Sequence, residues 1–79
     1  MSNKRTYKGM VSQVLNHLKA GNELSAADAA ELWNEYNVRN KISVLRSDGW
    51  PIEDREEPSP RHGKFKIYYL LMDRSKWPL

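Results

Sequence analysis

Apolar positions along this chain change their period part-way, from helical spacing to alternation. Val11, Val14, Leu15 and Leu18 fall at i, i+3, i+4 and i+7, which predicts a helix from about Tyr7 to Ala20 with one buried face. Gly21 and Asn22 supply its C-cap and a turn. Leu24 stands alone before Ser25, as a very short strand or a hydrophobic staple. Ser25 is the expected N-cap of a second helix, its hydroxyl accepting from a free first-turn amide, with Asp28 returning the bond three residues on. Ala26, Ala27, Ala29 and Ala30 favour helix and close packing, and Leu32 and Trp33 add bulk before the helix stops near Asn34 or Glu35. Asn37 is the next capping candidate. Val38, Ile42 and Leu45 then repeat at i, i+4 and i+7, giving a third helix from roughly Val38 to Ser47, or 37–47 with its cap, that Asp48-Gly49 ends.

Beyond Gly49 the pattern is that of strands. Trp50-Pro51-Ile52 leaves in extended form, because a residue before proline disfavours helix. Pro58, Pro60 and Gly63 make Glu56 to Gly63 a loop, and the aromatic and branched run Lys64 to Leu71 a strand. Pairing that run with Ile52 to Arg55 predicts a two-stranded hairpin with a long, mobile tip. Alternation turns inward either Phe65, Ile67 and Tyr69 or Lys66, Tyr68 and Leu70. The first set is the more apolar and is the one expected to face the core. The tail, Met72 to Leu79, shows no pattern, and Trp77 is its one residue suited to fold back onto the core.

Length adds that this is one domain, residues 1–79, with residues 1–6 as a flexible basic arm (Lys4 and Arg5, followed by Lys8) and 72–79 as a tail. There are no cysteines, so neither a disulfide nor a thiolate metal site reinforces the small core. No apolar run approaches the roughly 20 residues that span a bilayer, and the first residues lack a secretory segment, so the expected setting is the cytoplasm. The net charge is +3, but Glu53-Asp54-Arg55-Glu56-Glu57 alone carries −3, leaving +6 on the remainder. That asymmetry fits a basic face for a polyanion with the acidic stretch turned elsewhere.

The order of elements carries the functional argument. Two short helices separated only by Glu35, Tyr36 and Asn37 have the spacing of a helix-turn-helix, whose second helix enters the DNA major groove. The hairpin that follows is then a wing, so the expected fold is mainly α with a C-terminal β-hairpin, a winged helix-turn-helix of three helices and two or three strands. With Val38, Ile42 and Leu45 inward, Arg39, Asn40, Ser43, Arg46 and Ser47 lie outward or on the flanks, with no acid among them. These are side chains that read base edges: Arg bidentate to guanine, Asn bidentate to adenine, Ser to either. A merely solvated helix face would mix Glu with Lys at i, i+4 spacing. Lys41, at the boundary, is assigned to phosphate. Ser25, at the start of the second helix, and Arg61, Lys64 and Lys66 of the wing complete the expected DNA contacts, with His62 beside them.

The stretch from Val14 to Ile52, followed by Gly63-Lys64-Phe65-Lys66-Ile67-Tyr68-Tyr69-Leu70, resembles the small helix-turn-helix proteins common in bacteriophages and prophages. The resemblance rests on His17, Leu18 and Gly21, on Ser25 and Ala29, on Ile42, Leu45, Arg46, Gly49, Trp50, Pro51 and Ile52, and on Gly63, Lys64, Tyr68 and Leu70. It implies a winged-helix DNA-binding domain acting in phage gene regulation or DNA rearrangement. Family members often carry a glycine in the turn between the second and third helices. Here the turn reads Asn34-Glu35-Tyr36-Asn37, so Asn supplies the left-handed residue instead. As a family residue, Arg46 serves either DNA or structure, for instance by bonding to the hairpin.

No HExxH, phosphate loop, nucleophile elbow or paired-carboxylate pocket is present, so no enzymatic activity and no cofactor are expected. His17, on the flank of the first helix, reads as structural. Glu53, Asp54, Glu56, Glu57 and His62 read as a solvated acidic loop in preference to a metal site. The expected function is sequence-specific binding of double-stranded DNA by a transcriptional regulator, as a homodimer or a cooperative multimer paired through the tail. The alternatives are an excisionase-like factor that bends DNA, or a protein-binding adaptor using Trp50, Tyr36 or Trp77 as an exposed anchor.

Overall fold

A computed structural model describes residues 7–59 and 63–78. The elements run α1 (Gly9–Lys19), β1 (Leu24–Ser25), α2 (Ala26–Trp33), α3 (Val38–Ser47), β2 (Ile52–Ser59), β3 (Gly63–Leu70) and a 3-10 turn (Arg74–Lys76). Three helices pack on one face of an antiparallel sheet of order β1-β3-β2. This is the winged helix-turn-helix arrangement that the order of elements predicts.

The helical stripes meet in the core as their spacing requires. Val14, Leu15 and Leu18 of α1, Ala29 of α2 and Val38, Ile42 and Leu45 of α3 are buried against Leu24, Ile52, Tyr68 and Leu70 of the sheet. Each large apolar side chain sealed in this way contributes about 1.5–3 kcal/mol. Both α1 and α3 end in a hydrogen-bond pair that needs a left-handed residue after the helix. At α3 the Gly49 N–H donates to Arg46 O (3.0 Å) and the Trp50 N–H to Leu45 O (3.1 Å), with Gly49 at φ +101°. The positive φ is what constrains Gly49, since a Cβ there would meet the Pro78 ring only at 3.5 Å, an ordinary contact distance.

The start of α2 is the expected capping box: the Asp28 N–H donates to Ser25 Oγ, and the Ser25 N–H to Asp28 Oδ2, both at 3.1 Å. Its end is closed by Asn34 at φ +56°, the left-handed asparagine anticipated in the turn. The other capping expectation fails. Asn37 occupies the N-cap position of α3 but its side chain makes no cap bond. Instead the Glu35 carboxylate folds over the turn, accepting from the Asn37 N–H at 2.6 Å and pairing with Lys41 at 3.4 Å. A carboxylate two residues upstream reaches the turn from outside and makes an asparagine cap unnecessary.

The hairpin departs most from expectation. Residues 56–59 are not loop: β2 and β3 pair without interruption from Ile52↔Leu70 to Ser59↔Gly63. Pro58 is accommodated because β2 is an edge strand, where a missing N–H need not break a ladder on both sides. The long tip thus shrinks to residues 60–62, outside the described residues along with Arg61 and His62, as are Lys4 and Arg5 of the arm. The inward face is also reversed. Tyr68 and Leu70 are buried, Ile67 and Tyr69 are half-buried, and Phe65 is 40 % exposed. The register through Leu24↔Tyr68 and Ile52↔Leu70 fixes which parity meets the helices, and apolar content does not override it.

The tail is not free. Trp77 packs on Trp50 with ring centroids 5.4 Å apart, and its Nε1 donates to Leu71 O at 2.9 Å. Lys19 lies over both indoles and Arg74 over Trp77, at 5.4–5.8 Å from the ring centres. From the other end of the chain, Tyr7 Oη donates to Asp48 Oδ2 (2.7 Å) and accepts from Trp50 Nε1 (3.1 Å). Trp50 and Trp77 are therefore core residues, which removes two of the three exposed anchors expected of an adaptor.

Candidate nucleic-acid interface

The site grows from one helix. In α3 the buried stripe of Val38, Ile42 and Leu45 leaves Arg39, Asn40, Ser43 and Ser47 exposed together on the opposite side. Among the described residues none of these four side chains has a hydrogen-bond or ion-pair partner. The first turn carries no acid. Three donors and acceptors of base-reading type, with a guanidinium, are therefore presented to solvent uncommitted.

Other candidate residues are held. Arg46 Nε donates to Ile52 O (2.9 Å), its Nη2 pairs with Asp54 (3.2 Å), and its guanidinium lies 5.8 Å from the Tyr68 ring centre. Of its two open roles, the structural one has these visible bonds: Arg46 ties α3 to the hairpin. Lys41 is half-buried and paired with Glu35. Ser25 is 6 % exposed and its hydroxyl is the cap of α2, so only the adjoining helix terminus remains at the surface there. His17 is structural in its surroundings, with Nε2 donating to Glu23 O (3.1 Å) and its ring edge-on to Trp33 at 5.5 Å.

Strand alternation then sorts the hairpin into two faces. On the α3 side, continuous with Tyr68 and Leu70, lie Lys64, Lys66, Asp54, Glu56 and Pro58. On the far side lie Phe65, Ile67 and Tyr69 with Glu53, Arg55 and Glu57. The acidic stretch is thus not turned away as a block, because every second residue faces α3. Asp54 is balanced by Arg46, and Glu56 is 3.8 Å from Lys64, a loose, exposed pair. On the far side Arg55 bonds Glu23 (2.7 and 2.9 Å) and Glu57 (2.8 Å) and lies over the Tyr69 ring. The hydrogen bonds from Arg55 hold the Glu23 carboxyl below its ordinary range, and those to Glu23 and then Glu57 push the Arg55 guanidinium upward.

Two exposed residues just before α3, Tyr36 and Asn37, were assigned other roles from the sequence, one as an adaptor anchor and the other as a cap. Tyr36 is 80 % exposed and donates to Asn34 Oδ1 (2.8 Å), immediately before the α3 N-terminus. Asn37, freed from capping, is exposed beside it. The signal available was Glu35 two residues upstream, which offers the turn another carboxylate.

A family model described as a winged helix-turn-helix domain matches residues 10–74. The chain belongs to this family. In a winged helix-turn-helix domain α3 is the recognition helix and β2-β3 the wing, and membership points to DNA binding. No curated protein and no solved structure gives a significant match to the chain. Among the described residues no group of three or more His, Asp or Glu is placed to hold a metal ion, and no helix is long and apolar enough to cross a membrane.

Proposed function

We propose that this winged helix-turn-helix protein binds double-stranded DNA sequence-specifically, as a non-enzymatic transcriptional regulator of phage or prophage origin in the bacterial cytoplasm. The observation that carries the reading is the uncommitted face of Arg39, Asn40, Ser43 and Ser47 on α3. Placed in the major groove, Arg39 and Asn40 supply the two bidentate readers and the serines adapt to their neighbours. Lys64 and Lys66 lie on the side of the wing that shares the α3 surface, where they reach phosphate. Lys41 and Arg46 act mainly by setting the helix, one through the turn and the other through the wing.

The test is selection of bound duplexes from a random library, followed by titration of the recovered site and an unrelated duplex at two salt concentrations. Binding to both must weaken with salt, by a slope of about −0.9 for each phosphate neutralised, with the selected site retaining an advantage. The symmetry of the recovered site reports whether one or two copies bind. Absence of duplex binding at low salt overturns the proposal.

A further inference from the structure

The more apolar face of the wing is the one turned away from the core. Phe65, Ile67 and Tyr69 follow one another along β3, the central strand, on the face opposite buried Tyr68 and Leu70, with the start of α2 beside the Phe65 end. The Leu71 N–H still donates to Pro51 O (3.0 Å), so the ladder carries one residue past the strand and brings exposed Leu71 to the same side. At the far end of this stripe the Phe65 ring borders an open, mainly apolar groove of about 240 Å³ with Ala26, Ala27, Ser25 and Ser59. That volume accepts one large apolar side chain.

The groups around the stripe say what would cover it. Among the described residues, Glu53 and Glu57 flank it on β2 and Glu23 on the β1 side, against one cation, Arg55, bonded to Glu23 and Glu57. This face is therefore net acidic, whereas the α3 side of the wing carries Lys64 and Lys66. DNA is repelled by such a rim. A symmetric pairing of two copies through it sets Glu53 and Glu57 against themselves. An apolar stripe within an acidic rim complements an apolar side chain flanked by lysine or arginine.

We infer that the far face of the wing is a docking surface for a segment of another protein, with an apolar anchor seated beside Phe65 and flanking basic residues on Glu23, Glu53 and Glu57. Docking itself does not depend on the proposed DNA function. Only the corollary does, that a docked partner and DNA occupy opposite faces of one wing and bind together.

The test uses the full chain and two sets of short synthetic peptides, each with a central leucine or phenylalanine, flanked in one set by lysines and in the other by glutamates. Isotope-edited NMR should show the lysine peptides shifting signals of Ala26, Ala27, Glu57, Phe65 and Ile67, with the glutamate peptides silent. Phe65→Ser and, separately, Glu53→Lys should each weaken binding at least tenfold; both positions are exposed, and unchanged thermal melting confirms that the fold is kept. The same titration repeated on a duplex-bound sample should give the same shifts. Loss of peptide binding on duplex addition removes the corollary, and absence of duplex binding removes the DNA reading while leaving docking intact. Equal binding of the glutamate peptides, shifts confined to α3, no binding at millimolar peptide, or self-association through Phe65 in sedimentation overturns the inference.

Discussion

At its last turn α3 is fixed by side chains from both ends of the chain, whereas Arg39, Asn40, Ser43 and Ser47 on its outward face have no partner among the described residues. Arg46 is bonded into the wing, Asp48 receives Tyr7, and Trp50 is packed between Tyr7, Lys19 and Trp77. The outward face is left to solvent, and Tyr36 and Asn37, just before it in the chain, are exposed as well. The difference separates two tasks on one short helix. Rigid anchoring at one end sets the direction of the helix, and side chains without internal partners lose no native bond when they engage a ligand.

Substitutions can break this contrast in graded steps. The largest effect is expected of Trp50→Ala, which empties the indole site shared with Tyr7 and Trp77 and should cost about 3–5 kcal/mol in denaturant unfolding. By contrast, Arg39→Ala and Asn40→Ala should leave unfolding unchanged to within about 0.5 kcal/mol. Each should instead relax base preference by about 1–3 kcal/mol, read by competition between the selected duplex and single-base variants. If Arg39→Ala destabilises the fold as strongly as Trp50→Ala, the two regions are not distinct. Ser25→Ala removes the α2 cap and should cost about 1 kcal/mol of stability. Its effect on duplex binding should be smaller than that of Arg39→Ala, because the hydroxyl is committed within the fold.

The smallest effect belongs to acid. Glu23 and Asp73 both have carboxyl groups held below their ordinary values, about 4.5 and 3.8, the first by hydrogen bonds from Arg55 and the second by the Ser75 hydroxyl and amide. A lowered folded-state value means the contribution is complete above the ordinary value and is lost as pH falls through the lowered one. NMR titration should therefore find both carboxylates still ionised as pH falls to their ordinary values, protonating only below them. Arg55→Gln should return Glu23, but not Asp73, to the ordinary range.

The helices were legible because burial of a helical stripe is a local pattern. Val38 to Ser47 is bounded as predicted, and the Ser25–Asp28 reciprocal cap needs only two residues three apart. Helix spacing also placed Arg39, Asn40 and Ser43 outward. The wing was less legible, for two physical reasons. Alternation gives the two faces of a strand but not which face meets the core; that is set by Leu24 and Ile52 pairing across β3, contacts distant in sequence. Pro58 and Pro60 suggest a loop, yet an edge strand tolerates the proline that a central strand would not. The burial of Trp50 and Trp77 was half visible: Trp77 was the tail residue suited to fold back, but nothing local pairs it with Trp50. The role of Glu35 at the turn was hidden by the better-known capping preference of Asn37.

The matched family span runs from residue 10 to residue 74, and the two aromatic side chains that grip the end of α3 lie just outside it, at positions 7 and 77. A fragment trimmed to the shared span would keep all three strands, α2, α3 and all of α1 but Gly9. It would also strip Trp50 of its hydrogen-bond acceptor and of the indole packed on it, baring an aromatic surface where the intact protein has none. In this chain the contacts that hold α3 therefore reach past the span of its sequence likeness, and these two aromatic residues belong to the mounting of that helix.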